Sequence, residues 1–214
     1  MDFEINILKM QKNWSLKILN SFKKLSELDD DLKYIINKYN LPDSRKESNT
    51  FETLMRIIIG QQISRKAAES IYQKLKEKKI TSHKNFLNTD DKYLKNLGLS
   101  FRKIMYIKDL AKNICENKIN LNEFKKSSSE VVYNSLIKIK GIGKWTINNY
   151  QLFVLEDCDA WPGGDLAVQE AIKSLKNLDV RPNENESNII AETWKPFRGC
   201  AALLLWHYYS KKND

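Results

Sequence analysis

Three cysteines, seven glycines and four prolines are few for 214 residues, and each scarcity excludes something. Cys115, Cys158 and Cys200 are odd in number and far apart, and none makes a C-x-x-C pair, so neither a disulfide framework nor a zinc site is indicated. With so little glycine and proline, and few alternating β-branched runs, a sheet protein is not suggested. Val and Ile recur mostly at helical spacing, and the expected class is all-α. No run of about 18 apolar residues occurs, so no membrane span is expected. The opening stretch, Met1 to Trp14, carries acids early and lacks the long apolar core of a signal peptide. An intracellular, reducing setting is expected.

What the chain has in excess is positive charge. Lys and Arg number 36 against 27 Asp and Glu, a net charge of +9. That balance fits a nucleic-acid partner, because lysines that neutralise phosphates release counterions. Compositional drift in a chain rich in Lys, Asn and Ile produces the same excess, so charge alone does not decide. The hydrophobic share of 42% supports a sizeable core, in one large lobe or two small ones.

The most informative stretch runs from Ser127 to Ile172. Ser127 and Glu130 have capping-box spacing, and Val131, Val132, Ser135, Leu136 and Ile139 follow on one helical face. Gly141-Ile142-Gly143 breaks that pattern, because two glycines around one apolar residue permit positive φ and a close backbone approach. Helical period resumes from Lys144 to Leu155, with Trp145, Asn148, Asn149, Leu152 and Leu155. A helix that starts directly after such a turn is an anion site, and Lys138, Lys140 and Lys144 surround it; a DNA phosphate is the natural guest. A short acidic loop, Glu156 to Asp159, leads to Trp161-Pro162-Gly163-Gly164-Asp165. Asp165 stands before the amphipathic pattern Leu166, Val168, Ile172 and Leu175, so it reads as an ordinary N-cap. It also suits a carboxylate presented beside bound DNA.

Upstream, Trp14, Ile18, Phe22 and Leu25 form one apolar stripe, Asp29–Asp31 break it, and Leu32, Ile35, Ile36 and Tyr39 continue on a second helix that ends at Leu41-Pro42. Asn49 and Glu52 make a cap-like pair before a helix to Ile59 that is apolar almost all round and ends at Gly60. Ser64 caps the next one. A short helix is expected from Thr89 to Leu97, closed by Gly98, and Ser100 caps a longer one through Ile104, Ile107, Ala111 and Ile114. Its N-terminus, with Arg102 and Lys103, suits a phosphate, while Lys108 reads as a solvated face. Ser187 is expected to begin a short helix, and Pro196 to lie in the first turn of the last one.

Three of these segments resemble one family. FETLMRIIIGQQIS (51–64), Gly141-Ile142-Gly143-Lys144-Trp145-Thr146 with Pro162-Gly163-Gly164-Asp165-Leu166, and Trp194-Lys195-Pro196-Phe197-Arg198 followed by Leu204, Leu205, Trp206, Tyr208 and Tyr209 resemble the helix–hairpin–helix DNA glycosylases. Within that superfamily they are most similar to the 3-methyladenine DNA glycosylase II branch, over roughly residues 50 to 209. The resemblance implies a two-lobed helical bundle with its DNA-binding cleft between the lobes. One lobe would take residues 40–125, and the other 1–40 with 126–214, with the hairpin at 139–144.

It also implies roles. Asp165 is the catalytic carboxylate, Trp145 and Trp206 line the base pocket, and Gln62 fills the gap that an extruded base leaves. Ser64, Ser100, Arg102, Lys103, Gly141, Ile142, Gly143, Lys144 and Thr146 are the further DNA-binding candidates. The implied reaction is hydrolysis of the N-glycosidic bond of flipped alkylated purines, of the 3-methyladenine and 7-methylguanine type. Such bases already carry positive charge and leave readily. Indole faces attract them, and an ionised carboxylate stabilises the oxocarbenium-like sugar. No metal or organic cofactor is required, although hairpin carbonyls in this superfamily can bind a monovalent cation. Some relatives carry a four-cysteine iron–sulfur cluster near the C-terminus, which this chain cannot, since Cys200 stands alone there. In lyase members the nucleophilic lysine falls where this chain has Trp145. Lys144 is offset by one residue, about 100° around the helix, so no strand cleavage is expected. Many relatives place an acid just before the catalytic Asp, where this chain has Gly163-Gly164, which loosens the loop or lets it turn close to the DNA. The expected partner is double-stranded DNA with alkylated bases, bound by a monomer. A catalytically silent damage sensor and a glycosylase for another lesion, such as uracil or deaminated adenine, stay open.

Overall fold

The computed structural model describes residues 14–213, and every regular element among them is helical. In chain order these are α1 Leu16–Leu28, α2 Asp30–Tyr39, α3 Phe51–Gly60, α4 Arg65–Glu77, α5 His83–Asn88, α6 Asp91–Asn96, α7 Phe101–Cys115, α8 Leu121–Phe124, α9 Ser129–Leu136, α10 Lys144–Val154, α11 Leu166–Leu175, α12 Glu184–Ala191, a 3-10 turn at Glu192–Trp194, and α13 Arg198–Asn213. No helix among the described residues is long and apolar enough to cross a membrane. The sequence expectations for residues 1–13 lie outside the described residues.

The chain divides into two compact units. One spans Glu47–Leu155; the other holds the chain up to Lys46 and from Glu156 onward. In the Glu47–Leu155 unit the apolar helix α3 is central, with Leu54, Met55, Ile58 and Ile59 fully buried, and it packs on α4, α7 and α10. Val132, Leu136, Ile139, Ile142, Ile147 and Tyr150 join the same core. The division therefore differs from the one expected from the sequence. The hairpin and its two helices belong with residues 47–125 because their apolar faces close over α3, and not with the first 40 residues.

In the other unit α13 is central. Ala201, Ala202, Leu204 and Leu205 are fully buried, and the helix packs on α11, α2 and α1. Asp29 joins several elements here. Its Oδ1 accepts the Asp31 and Leu32 amides as the N-cap of α2, and its Oδ2 accepts Trp194 Nε1 at 2.8 Å and Lys176 Nζ at 3.2 Å. Burial opposes charge on Asp29, but the indole and amide donors and Lys176 outweigh it, and the carboxyl is held below its ordinary range.

Several helix starts shift from their expected positions. Ser128, not Ser127, caps α9, and Ser127 Oγ instead donates to Glu123 O. Thr50 caps α3 while Asn49 faces inward, donating to Leu121 O and accepting from Tyr150 Oη. Asp90 caps α6, and Thr89 closes α5. A capping box of Asn183 and Glu186 starts α12, which leaves Ser187 buried inside it. Pro196 lies two residues before α13 begins, not in its first turn. Lys108 is tied to Thr89 O and the Asp91 carboxylate, not solvated. Cys158 and Cys200, far apart in sequence, meet: the Cys200 amide donates to Cys158 O at 3.1 Å, and its thiol donates to the Cys158 sulfur, which with burial pushes Cys200 up.

Candidate nucleic-acid interface and active site

In the Glu47–Leu155 unit the hairpin is a fitted turn. Ile142 N donates to Ile139 O, and Lys140 N donates to Asp109 Oδ2 at 2.9 Å. Gly141 has φ +78, and a Cβ there would sit 1.9 Å from the Tyr106 ring, so this glycine is required by the fold itself. Gly143 is different. Its φ is −102, it starts α10 without a side-chain cap, and a Cβ there would meet nothing within 4 Å. Lys138, Lys140, Gly143 and Lys144 are all exposed around the turn.

The hairpin is fastened to the loop between α3 and α4. Gln61 Nε2 donates to Gly141 O at 2.9 Å and to Thr146 Oγ1 at 3.0 Å. Gln62 follows with φ +57 and is exposed. Ser64 Oγ caps α4 and Ser100 Oγ caps α7, accepting the Ala67 and Lys103 amides, and both serines are exposed. Arg102 is exposed. Three candidates serve the interior instead. Lys103 Nζ donates to Ile59 O at 2.7 Å, on a carbonyl at the end of α3 where positive charge is favoured; burial holds its pKa below the ordinary lysine value. The Thr146 side chain is buried and receives Gln61. The Ile142 side chain lies in the core, so only its backbone can face a ligand. Sequence reasoning missed Gln61 and Tyr106, because neither residue type signals a partner some 80 or 35 positions away.

The other unit builds the acid. The Asp165 amide donates to Pro162 O at 2.8 Å, and Gln169 Nε2 donates to Gly163 O at 2.9 Å, so the turn is tied at both ends. A Cβ on Gly163 would fall 2.3 Å from Asn188 Oδ1 and 2.5 Å from Trp161 Nε1, which themselves hydrogen-bond. The two glycines thus let the loop pack against its own unit, and do not loosen it. Asp165 Oδ1 accepts the Val168 amide at 3.0 Å and Trp206 Nε1 at 2.9 Å.

Gly199 explains how Trp206 reaches that acid. A Cβ there would lie 2.8–3.0 Å from the carbonyl oxygens of Ala160, Cys158 and Asp157, so α13 starts directly against the loop that leads to Asp165. Two turns later Trp206 meets the carboxylate. The neighbouring acids are otherwise engaged. Asp159 receives Arg198 through Nε at 2.8 Å and Nη2 at 2.7 Å, and Glu156 receives Lys46 at 2.7 Å. Trp145, by contrast, is 39% exposed in the first turn of α10.

Comparison with known proteins gives the family and the fold. The family model "HhH-GPD superfamily base excision DNA repair protein" matches residues 55–197. DNA-3-methyladenine glycosylase 1 of Schizosaccharomyces pombe is 29% identical over 192 residues, covering 85% of this chain and 83% of that protein. A Bacillus subtilis protein described as "Putative DNA-3-methyladenine glycosylase YfjP" is 34% identical over 113 residues, a match that spans 53% of this chain and only 39% of the relative. Among solved structures, S. pombe 3-methyladenine DNA glycosylase (Mag1) in complex with abasic DNA superposes with a TM-score of 0.78 at 28% identity, covering 87% of this chain and 95% of that one.

Proposed function

The chain belongs to the HhH-GPD superfamily of base excision DNA repair proteins, and from that premise we propose that it is a monofunctional DNA glycosylase that hydrolyses the N-glycosidic bond of alkylated purines. The observation that carries this reading is the bond from Trp206 Nε1 to Asp165 Oδ1, across 41 residues of sequence. An N-cap needs only the Val168 amide. A second donor from an indole fixes the carboxylate in direction, and direction is what electrostatic stabilisation of a forming cation requires.

The reaction assigns few tasks to the protein. The alkylated base is already cationic and departs with the bond's electron pair. Asp165 stands by the developing positive charge on the sugar and orients the water that adds to C1′. Trp206, beside Asp165, offers an indole face to the electron-poor ring, which favours alkylated over ordinary bases. Gly143 and Lys144 take a phosphate, for which the open space at Gly143 leaves room, with Lys138, Lys140 and Arg102 adding charge. Gln62 fills the vacated stack. The position matched by the lyase lysine holds Trp145, so no Schiff base forms. No metal or organic cofactor takes part. Ile139 O and Gly141 O each already accept an N–H, so a monovalent cation at the hairpin would use their second lone pairs. The protein acts as a monomer on duplex DNA inside the cell.

Two experiments test this assignment. Duplexes carrying 7-methylguanine or 3-methyladenine, uracil or hypoxanthine are presented separately. Release is expected from the alkylated duplexes, with strand breaks only after alkali; release confined to uracil or hypoxanthine, or nicking without alkali, contradicts it. In the second, Trp206→Phe keeps an aromatic face but deletes the N–H donor. Hydrogen bonds to charged groups contribute roughly 1.5–3 kcal/mol, so single-turnover release is expected to slow by about 10- to 100-fold with duplex affinity unchanged.

A further inference from the structure

Gln61 is a partly buried polar side chain that fastens the α3–α4 loop to the hairpin, and the chemistry proposed above gives it no task. Its carboxamide faces Gly141 O, a pure acceptor, which orients the NH2 group toward the hairpin and also places it 3.0 Å from Thr146 Oγ1. Its backbone, at φ −58 and ψ 128, is followed by Gln62 at φ +57. A positive φ at the second of two turn residues is a position that favours glycine. A glutamine held in the left-handed region persists only where its surroundings over-determine it. The surroundings here are Gln61 on the hairpin, the Gln61 amide on Ile58 O, and Lys103 Nζ on Ile59 O.

We propose that Gln61 is a positioning residue for Gln62: by bolting the turn to the hairpin it sets the reach of the Gln62 side chain relative to the phosphate that the hairpin grips. This rests on the glycosylase reading, in which hairpin and Gln62 both engage DNA. A base is extruded only if the phosphate anchor and the wedge act at a constant separation. The hairpin and the α3–α4 loop lie 80 residues apart in sequence, and the Gln61 carboxamide links them. Gln61 touches no DNA in this account; it acts through Gln62.

The test is a double-mutant cycle with two readouts. Gln61→Ala, Gln62→Ala and the double variant are compared with wild type by single-turnover release of an alkylated purine, and by fluorescence of 2-aminopurine at an extrusion site. Affinity for undamaged duplex and thermal melting serve as controls. Each single variant is expected to lose about tenfold in release and in extrusion signal, and the double variant no more than either single one, because residues that act as a unit are not additive. Gln61→Glu keeps the shape but puts a carboxylate against Gly141 O, so it is expected to lose as much as Gln61→Ala. Losses that multiply in the double variant, a Gln61→Glu variant with wild-type rates, or a Gln61→Ala variant whose undamaged-duplex affinity falls as far as its release rate would each overturn the proposal. If wild type releases no base at all, the glycosylase reading fails, while the 2-aminopurine signal still decides whether Gln61 acts through Gln62.

Discussion

Asp165→Asn is expected to slow base release by on the order of 10³-fold, about 4 kcal/mol of transition-state stabilisation, while leaving the fold and the affinity for lesion duplex intact. The substitution isolates charge. Asparagine is as good an N-cap as aspartate, and its side-chain oxygen can still accept the Val168 amide and Trp206 Nε1, two bonds that hold Asp165. What disappears is the negative charge that the proposed reaction sets against the sugar cation. Asp165→Ala would confuse the matter, since it also removes the cap, at a cost of about 1 kcal/mol. Equal melting temperatures for wild type and Asp165→Asn, with rates three decades apart, would assign the loss to chemistry. A loss of tenfold or less would move the catalytic charge elsewhere, with Asp157 the first residue to test.

The second large effect separates the two hairpin glycines. Gly141→Ala combines a positive φ, which costs an L-residue about 1–2 kcal/mol, with a Cβ driven into the Tyr106 ring, which adds about 1–3 kcal/mol. A loss of stability of about 3 kcal/mol is expected, read as a lower denaturation midpoint. Adding Tyr106→Ala should recover part of the steric share and leave the φ share. Gly143→Ala meets no protein atom within 4 Å, so its stability should change by no more than about 1 kcal/mol, the difference between glycine and alanine at an N-cap. Its cost should appear in duplex affinity, because the Cβ occupies the space assigned to a phosphate. Comparable losses of stability in both variants would show that the hairpin glycines do one job and not two.

These glycines illustrate what a sequence makes legible. Gly141-Ile142-Gly143 announced a turn, and the helical period on either side announced the helices, because local chemistry dictates both. The caps were displaced by one to four residues where hydroxyls and amides compete. Ser127, Ser128 and Ser129 offer three adjacent hydroxyls, and which one caps depends on where Val132 and Leu136 must face. Asn49 was spent on Tyr150 and Leu121, leaving Thr50 to cap. Membership of the hairpin in the 47–155 unit was not legible either, since it follows from the burial of Ile147 and Tyr150 around α3 and not from any local signal. At the candidate site resemblance alone singles out the acid and its tryptophan, each separately; that the indole donates to the carboxylate is a tertiary fact. Thr146, Ile142 and Lys103 look like DNA contacts in a basic stretch, yet each side chain meets an interior need first.

The most direct measurement is single-turnover base release from a duplex carrying one alkylated purine, by wild type and Asp165→Asn at saturating protein, with binding measured on the same samples. Wild type is expected to free the base and leave an abasic strand that breaks only with alkali, while Asp165→Asn binds equally and frees it about 10³-fold more slowly. A wild-type protein that binds the lesion tightly and releases nothing would contradict it, and would make this chain a sensor of damage and not an enzyme.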